Sequence, residues 1–269
     1  MYKQYLTFLC TGCMNKYIEI LGALLRELCF ERGCVLCDRP LVEQGEYLYG
    51  LCLDCQKELT LDFTIDSRCP HCGRPLISEQ TSCMTCRQHE SPPQDIALAL
   101  YPYLGKAKKM LESYKFNKNI QLAWFLVNCL DQAVQYLAGI GYHFDAWVPV
   151  PSSPGKLKQK GWDHIITLSL YLDKLRKQKL HRATGANPPE QNMPVITCLE
   201  RLPSESQKKL HRTERTINLN GKIRCIDVVP KRVLLFDDVM TTGSTLRVCA
   251  KALKEGGAEL VGTVVLFYD

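Results

Sequence analysis

An apolar run, Val233-Leu234-Leu235-Phe236, ends abruptly at two adjacent carboxylates, Asp237 and Asp238, and Thr241-Thr242-Gly243-Ser244-Thr245 follows three residues later. The run reads as a buried strand, and the stretch after it, STLRVCAKALKEGGA, as a helix closed by Gly256-Gly257. This order places the acids at the carboxyl end of a strand, where ligands collect in α/β sheets. Neighbouring carboxylates repel each other, so a site holding both favours hydroxyl groups to hydrogen-bond or a divalent cation to neutralise them. The next five residues supply backbone N–H groups, four hydroxyls and a flexible glycine where the helix starts, a combination suited to a phosphate monoester. Acids for a sugar diol beside a phosphate nest describe a site for a 5-phosphorylated ribose. A plain helix N-cap would account for one hydroxyl and leave the acid pair without a reason.

The rest of the chain from Asp95 agrees with such a sheet. IALALYPYL, DAWVPVP, PVITCL, IRCIDVV, RVLLFD and ELVGTVVLF are strand-like, while AKKMLESYKF, IQLAWFLVNCLDQAVQYLAG and roughly 163–178 are helical. In the second of these helices Leu122, Leu126, Cys129, Leu130, Ala133 and Leu137 fall on one face. Apolar strands alternating with helices predict an α/β domain over 95–269 with a mainly parallel sheet flanked by helices.

Eight of the 15 cysteines form four Cys-x-x-Cys pairs: Cys34/Cys37, Cys52/Cys55, Cys69/Cys72 and Cys83/Cys86. CVLCDRP and CPHCGRP repeat one knuckle, and in each case a second pair follows after 10 to 14 residues. Paired thiolates at this spacing suit one tetrahedral Zn²⁺ per two pairs, so 34–90 reads as a double zinc ribbon. Sequential and crossed pairing of the quartets both remain open, and His71 and His89 read as bystanders. Four cysteines per ion leave no open coordination position, which makes the zinc structural rather than catalytic. Cys10 and Cys13 are a further pair without partners, while Cys29, Cys129, Cys198, Cys225 and Cys249 read as core residues.

No apolar run approaches the ~20 residues of a membrane span, and residues 1–33 lack a clean signal peptide, reading instead as a helical adaptor. Serial Cys-x-x-Cys pairs without a secretion signal point to a reducing, cytoplasmic setting. Net charge is +6, yet 151–232 holds 17 Lys+Arg against 7 Asp+Glu, which is +10 there and −4 elsewhere. That stretch is either a solvated basic face or a surface for polyanions, with Trp162 and Tyr171 as candidates to stack on single strands, although Tyr171 reads better as a core residue.

VLLFDDVMTTGSTL closely resembles the phosphoribosyl diphosphate (PRPP) motif of type I phosphoribosyltransferases. With zinc ribbons before it, the chain from about Leu28 resembles the ComF family of competence-associated proteins. YPYLGKAKKMLESYKFNKN, VPVPSSPGKLKQKGWDHI and ERLPSESQKKLHRTERTINL match as well. The resemblance implies that Asp237 and Asp238 bind the ribose hydroxyls and that Thr241, Thr242, Gly243, Ser244 and Thr245 cradle the 5-phosphate. It places Ser152, Ser153 and Lys156 in the pyrophosphate loop. Arg201, Gln207 and the stretch Arg215-Thr216-Ile217-Asn218 would belong to a mobile basic segment near the site. Mg²⁺ would accompany PRPP, and the setting would be DNA uptake, natural transformation, recombination or repair, with competence or DNA-processing proteins as partners. Three departures stand out: Gly161-Trp162-Asp163-His164 where the family has Gly-Phe-Asn-Gln, an insertion over 181–194, and the N-terminal segment with Cys10 and Cys13. Phosphoribosyl transfer to an acceptor, binding of PRPP as a sensor or scaffold with single-stranded DNA, and a purely structural zinc adaptor are the three functions compatible with these features. Glutamine-dependent amidotransfer is not among them, because Tyr2 stands where such enzymes need a cysteine and the N-terminal third is zinc ribbon.

Overall fold

The computed structural model describes residues 33–63, 67–87, 92–154, 161–182, 192–202 and 221–269. The expectations for residues 1–32, His89, Lys156, Gln207, Arg215-Thr216-Ile217-Asn218 and most of 181–194 lie outside them. The chain divides into two units, Met1–Glu58 and Leu59–Asp269, with one cysteine quartet in each.

In the first unit Gly33 and Pro40 bridge across the knuckle of Cys34 and Cys37, and two short helices follow, α1 (Gln44–Tyr49) and α2 (Leu53–Glu58). Glu46 ties this small fold together. Its buried carboxylate accepts the backbone N–H groups of Val42, Glu43 and Leu53.

The second unit opens with the second ribbon, where Arg68 and Pro75 bridge and α3 (Met84–Arg87) closes the stretch. Then follow β1 (Ile96–Pro102), α4 (Gly105–Lys115), α5 (Leu122–Gly139), β2 (Ala146–Pro149) and α6 (His164–Arg182). The chain ends with β3 (Leu199–Arg201), β4 (Ile223–Cys225), β5 (Arg232–Met240), α7 (Ser244–Glu255) and β6 (Leu260–Tyr268). Strands β1-β6-β5-β2 form a four-stranded sheet whose pairings are all parallel. Val233–Phe236 are fully buried, as expected of a strand covered on both sides. The six apolar positions assigned to one face of α5 are all buried.

Two strand expectations need correcting. PVITCL and IRCIDVV do not extend the parallel sheet; Leu199–Arg201 and Ile223–Cys225 pair with each other as a separate antiparallel ribbon. Val195 makes one isolated bridge to Trp147, which is as far as PVITCL reaches toward the main sheet. Among the described residues, no helix is long and apolar enough to cross a membrane.

The second ribbon is seated on β1 through Gly73. Its φ of +73° needs glycine, and a Cβ there would lie 2.4 Å from the Leu98 Cα and 2.5 Å from the carbonyl of Ala97. Arg68 Nη1 donates to the carbonyls of both Gly73 and Ala99, at 3.1 Å each. Gly73→Ala is therefore expected to cost about 3 kcal/mol in urea unfolding, because backbone rather than a flexible side chain would have to yield. A loss below about 1 kcal/mol would show that this seat is not tight.

Candidate phosphoribosyl and zinc sites

The first structural surprise lies in the acid pair. β5 does not stop at Phe236; it stays paired with β6 through Asp237↔Val265 as far as Met240↔Tyr268. Side chains alternate along a strand, so the two carboxylates leave the backbone in opposite directions, yet at this strand end they stay close enough to interact with each other directly.

Asp237 faces α7 and the β3–β4 ribbon. It is half-buried, its Oδ1 accepts the Asp238 N–H at 2.8 Å, and its charge is felt by Arg201 and Cys249. Burial, reinforced by the charge of Asp238, pushes the Asp237 carboxyl well above the usual carboxylate range. Burial also lowers the Arg201 guanidinium, whose Nε is buried without a partner among the described residues.

Asp238 faces α4 and α6. Its Oδ2 receives the Lys115 ammonium and lies 2.7 Å from His164 Nε2, while Oδ1 accepts the Val239 N–H at 2.9 Å. Burial alone would raise this carboxyl, but His164 and Lys115 outweigh it and hold it well below the usual range. Both oxygens of Asp238 are thus engaged inside the protein. Asp238 nevertheless borders a cavity, while Asp237 is the half-buried acid of the pair.

The Gly161-Trp162-Asp163-His164 departure now has a structural account. Asp163 Oδ1 accepts the N–H groups of Ile165 and Ile166 at 2.9 and 3.2 Å, which caps α6. The next residue, His164, is thereby aimed at Asp238. Trp162 donates its indole N–H to Thr167 Oγ1 at 2.8 Å and packs edge-on against Tyr114, while Tyr171 packs edge-on against Trp124. Both aromatic rings are used in packing rather than standing free as stacking platforms.

The loop after β5 is preformed. Gly243 has φ +72°, so the chain turns straight into α7, whose first helical bond runs from Arg247 N–H to the Gly243 carbonyl. The N–H groups of Thr245 and Leu246 precede that bond and have no acceptor within the helix. Thr242 Oγ1 and Ser244 Oγ are 2.8 Å apart, and Arg247 Nη2 donates to the Thr242 carbonyl at 3.0 Å. The loop thus gathers two hydroxyls, free amides and a guanidinium at a helix N-terminus, which suits a phosphate monoester.

Of the other expected residues, Ser152, Ser153 and Arg201 line a single cleft of about 710 Å³ between the loop after β2, α6 and the β3–β4 ribbon. Lys115, Asp238 and Thr241 line a second cavity of about 340 Å³. The sequence pattern places Lys115 in a helix and marks His164 only as part of a departure, with nothing that joins either to Asp238. Their joint hold on Asp238 joins α4 and α6 to β5, across 123 residues of chain in the case of Lys115.

The cysteines gather in sequential quartets. Within each of the groups Cys34/Cys37/Cys52/Cys55 and Cys69/Cys72/Cys83/Cys86, the Sγ atoms all lie within 4.8 Å of one another. Cys37–Cys52 and Cys72–Cys83 are 3.6 and 3.7 Å apart, close to the ~3.8 Å edge of a tetrahedron with Zn–S bonds of ~2.3 Å. Although burial opposes it, backbone N–H groups from Cys52, Leu36 and Cys37 hold the Cys34 thiol down at about 7. Burial and neighbouring thiols push Cys55 up, and neighbouring thiols with burial push Cys72 up. Both quartets fit structural zinc, and His71 stands outside them.

Comparison with known proteins agrees with this picture. The phosphoribosyl transferase domain family matches residues 204–269, the stretch that holds β5, the hydroxyl loop and α7. The chain is 25% identical over 218 residues to competence protein ComFC of Streptococcus pneumoniae, covering 80% of this chain and 86% of that protein. It is 25% identical over 246 residues to competence protein ComFC of Bacillus subtilis, with 83% and 89% covered. Competence protein F of Haemophilus influenzae is 27% identical over 216 residues, with 78% and 86% covered.

Proposed function

We propose that this chain, a homologue of the ComF-type competence proteins with a phosphoribosyl transferase domain, binds PRPP or another 5-phosphorylated ribose in a DNA-uptake or DNA-processing setting. The observation that carries the reading is the hydroxyl loop at the N-terminus of α7, which follows Met240 at the end of the parallel strand that also holds Asp237. In this reading Thr242–Thr245 and the first amides of α7 hold the 5-phosphate. Asp237 takes a ribose hydroxyl, and Ser152, Ser153 and Arg201 face the diphosphate from the larger cleft.

Among the described residues, the side-chain clusters able to hold a metal are the two cysteine quartets. Mg²⁺ would therefore enter with the diphosphate oxygens as its main ligands, where it would neutralise the leaving group in a phosphoribosyl transfer. The protein's own part is to fix the 5-phosphate and ribose, and to present Arg201 to the charge that develops on the diphosphate. Competence and DNA-processing proteins are the partners this setting suggests.

Calorimetry tests the reading. Wild-type protein is expected to bind PRPP with Mg²⁺, and Asp237→Asn to weaken binding at least about tenfold by replacing the carboxyl proposed to take a ribose hydroxyl. Absence of binding by the wild type overturns the proposal. Release of pyrophosphate with a panel of acceptors distinguishes transfer from binding alone.

A second reading, binding without turnover in contact with single-stranded DNA, draws on the basic stretch 151–232. Its expected signature is DNA affinity that falls steeply with salt. A flat salt response counts against it.

A further inference from the structure

The two ribbons carry the same knuckle, Cys34-Val35-Leu36-Cys37-Asp38-Arg39-Pro40 and Cys69-Pro70-His71-Cys72-Gly73-Arg74-Pro75, yet their arginines are used differently. Arg39 pairs with Asp54 inside its own ribbon. Arg74 instead leaves its ribbon: Nη2 donates to the carbonyl of Thr241 at 2.7 Å, across 167 residues of chain. Its guanidinium also lies over the ring of Tyr268, 5.6 Å from the centroid, and Tyr268 is the β6 partner of Met240. Arg74 thus clasps the point where β5 becomes the hydroxyl loop.

Other contacts join the same two elements. His71, Cys72 and Cys86 line a small cavity of about 20 Å³ together with Thr242, Gly243 and Arg247. The four cysteines of this quartet lie in one buried cluster with Met240, Leu246 and Val265. Gln94 Nε2 holds the His71 carbonyl at 2.7 Å, and Gly73 seats the turn on β1.

The geometry points to a further role for the second ribbon: its knuckle is the rear wall of the phosphate loop, and Arg74 is the positioning residue that sets the Thr241 carbonyl and hence the direction of the loop amides. Thr241 is pinned from the ribbon while Thr242 is pinned from the helix by Arg247. Both carbonyl oxygens are thereby taken up by guanidinium groups, which leaves the loop's N–H groups as its part for an anion. Zinc in this quartet fixes the knuckle from which Arg74 reaches, so the metal site is part of the anion site's framework. The inference rests on the proposed binding of a phosphorylated ribose and adds to it which residue outside the motif sets the affinity.

Calorimetry of the full chain with ribose 5-phosphate tests it, alongside zinc counted by a chromogenic chelator and thermal unfolding. Arg74→Ala is expected to bind about tenfold more weakly than wild type with its zinc content unchanged. Arg74→Lys should recover part of the loss, because an ammonium can still reach the carbonyl but cannot lie flat on Tyr268. Arg39→Ala, which removes an exposed pair, should bind like wild type. A ¹¹³Cd-loaded sample adds a readout independent of affinity: ribose 5-phosphate should shift the resonance of the second quartet, and Arg74→Ala should abolish that shift. If Arg74→Ala binds as tightly as wild type, or the cadmium resonance stays still on binding, the inference is overturned while the phosphoribosyl site stands. If wild type fails to bind ribose 5-phosphate or PRPP, the site reading falls first and takes this inference with it.

Discussion

Asp238→Asn is expected to cost about 3–5 kcal/mol of stability, lowering Tm by roughly 6–20 °C for a unit of this size. The change leaves the Lys115 ammonium and His164 at a buried position without the carboxylate that both now share. Its neighbour should behave in the opposite way. Asp237 sits where burial favours the neutral acid, so Asp237→Asn removes little and should leave Tm unchanged or raised while ligand binding falls.

The pH dependence separates the acids further. A depressed carboxyl such as Asp238 contributes stability that is present above its unfolded pKa of about 3.9 and lost as pH falls. A raised carboxyl such as Asp237 works in reverse: the folded state holds its proton more tightly, so stability declines as pH rises from about 4 through the folded pKa. Thermal unfolding from pH 4 to 8 should show that decline in wild type and lose it in Asp237→Asn. Equal Tm losses for the two variants would contradict the different surroundings assigned to the two acids. Lys115→Met in the Asp238→Asn background should restore part of the stability, since it removes the charge left unpaired.

The second large effect concerns metal. Cys72→Ser should reduce bound zinc from two ions to one per chain and lower stability by at least about 4 kcal/mol, a Tm drop of roughly 8–16 °C. The ribbon has little core of its own, and its cysteines are part of the buried cluster against α7 and the sheet. Loss of this ion should therefore also weaken ribose 5-phosphate binding. Retention of two zinc ions, or an unmoved Tm, would rule out this quartet as a structural metal site.

Much of this was legible in the chain. The buried strand, the α5 face and the cysteine quartets each depend on spacing along a local stretch, and spacing is a property of sequence. Val233–Phe236 had to be buried on both faces because they are all apolar; Leu122, Leu126 and Leu130 had to share a face because a helix repeats every 3.6 residues. The hydroxyl loop was equally visible, since hydroxyls and glycine before a helix announce an N-terminus.

What sequence could not reveal depends on where a strand ends and on which distant residues arrive beside it. Adjacency in the chain suggested that Asp237 and Asp238 act together. Continued pairing with β6 gives them different partners, Arg201 near one and Lys115 and His164 bonded to the other. The cysteine repeat suggested two similar ribbons, and each does gather its four sulfur atoms in the same way. Only the tertiary structure made them different, because Arg39 finds Asp54 within 15 residues while Arg74 meets a carbonyl 167 residues away. Local patterns fix which atoms a segment can offer; packing fixes whose partner each atom becomes, and the charges of these acids follow from the partners.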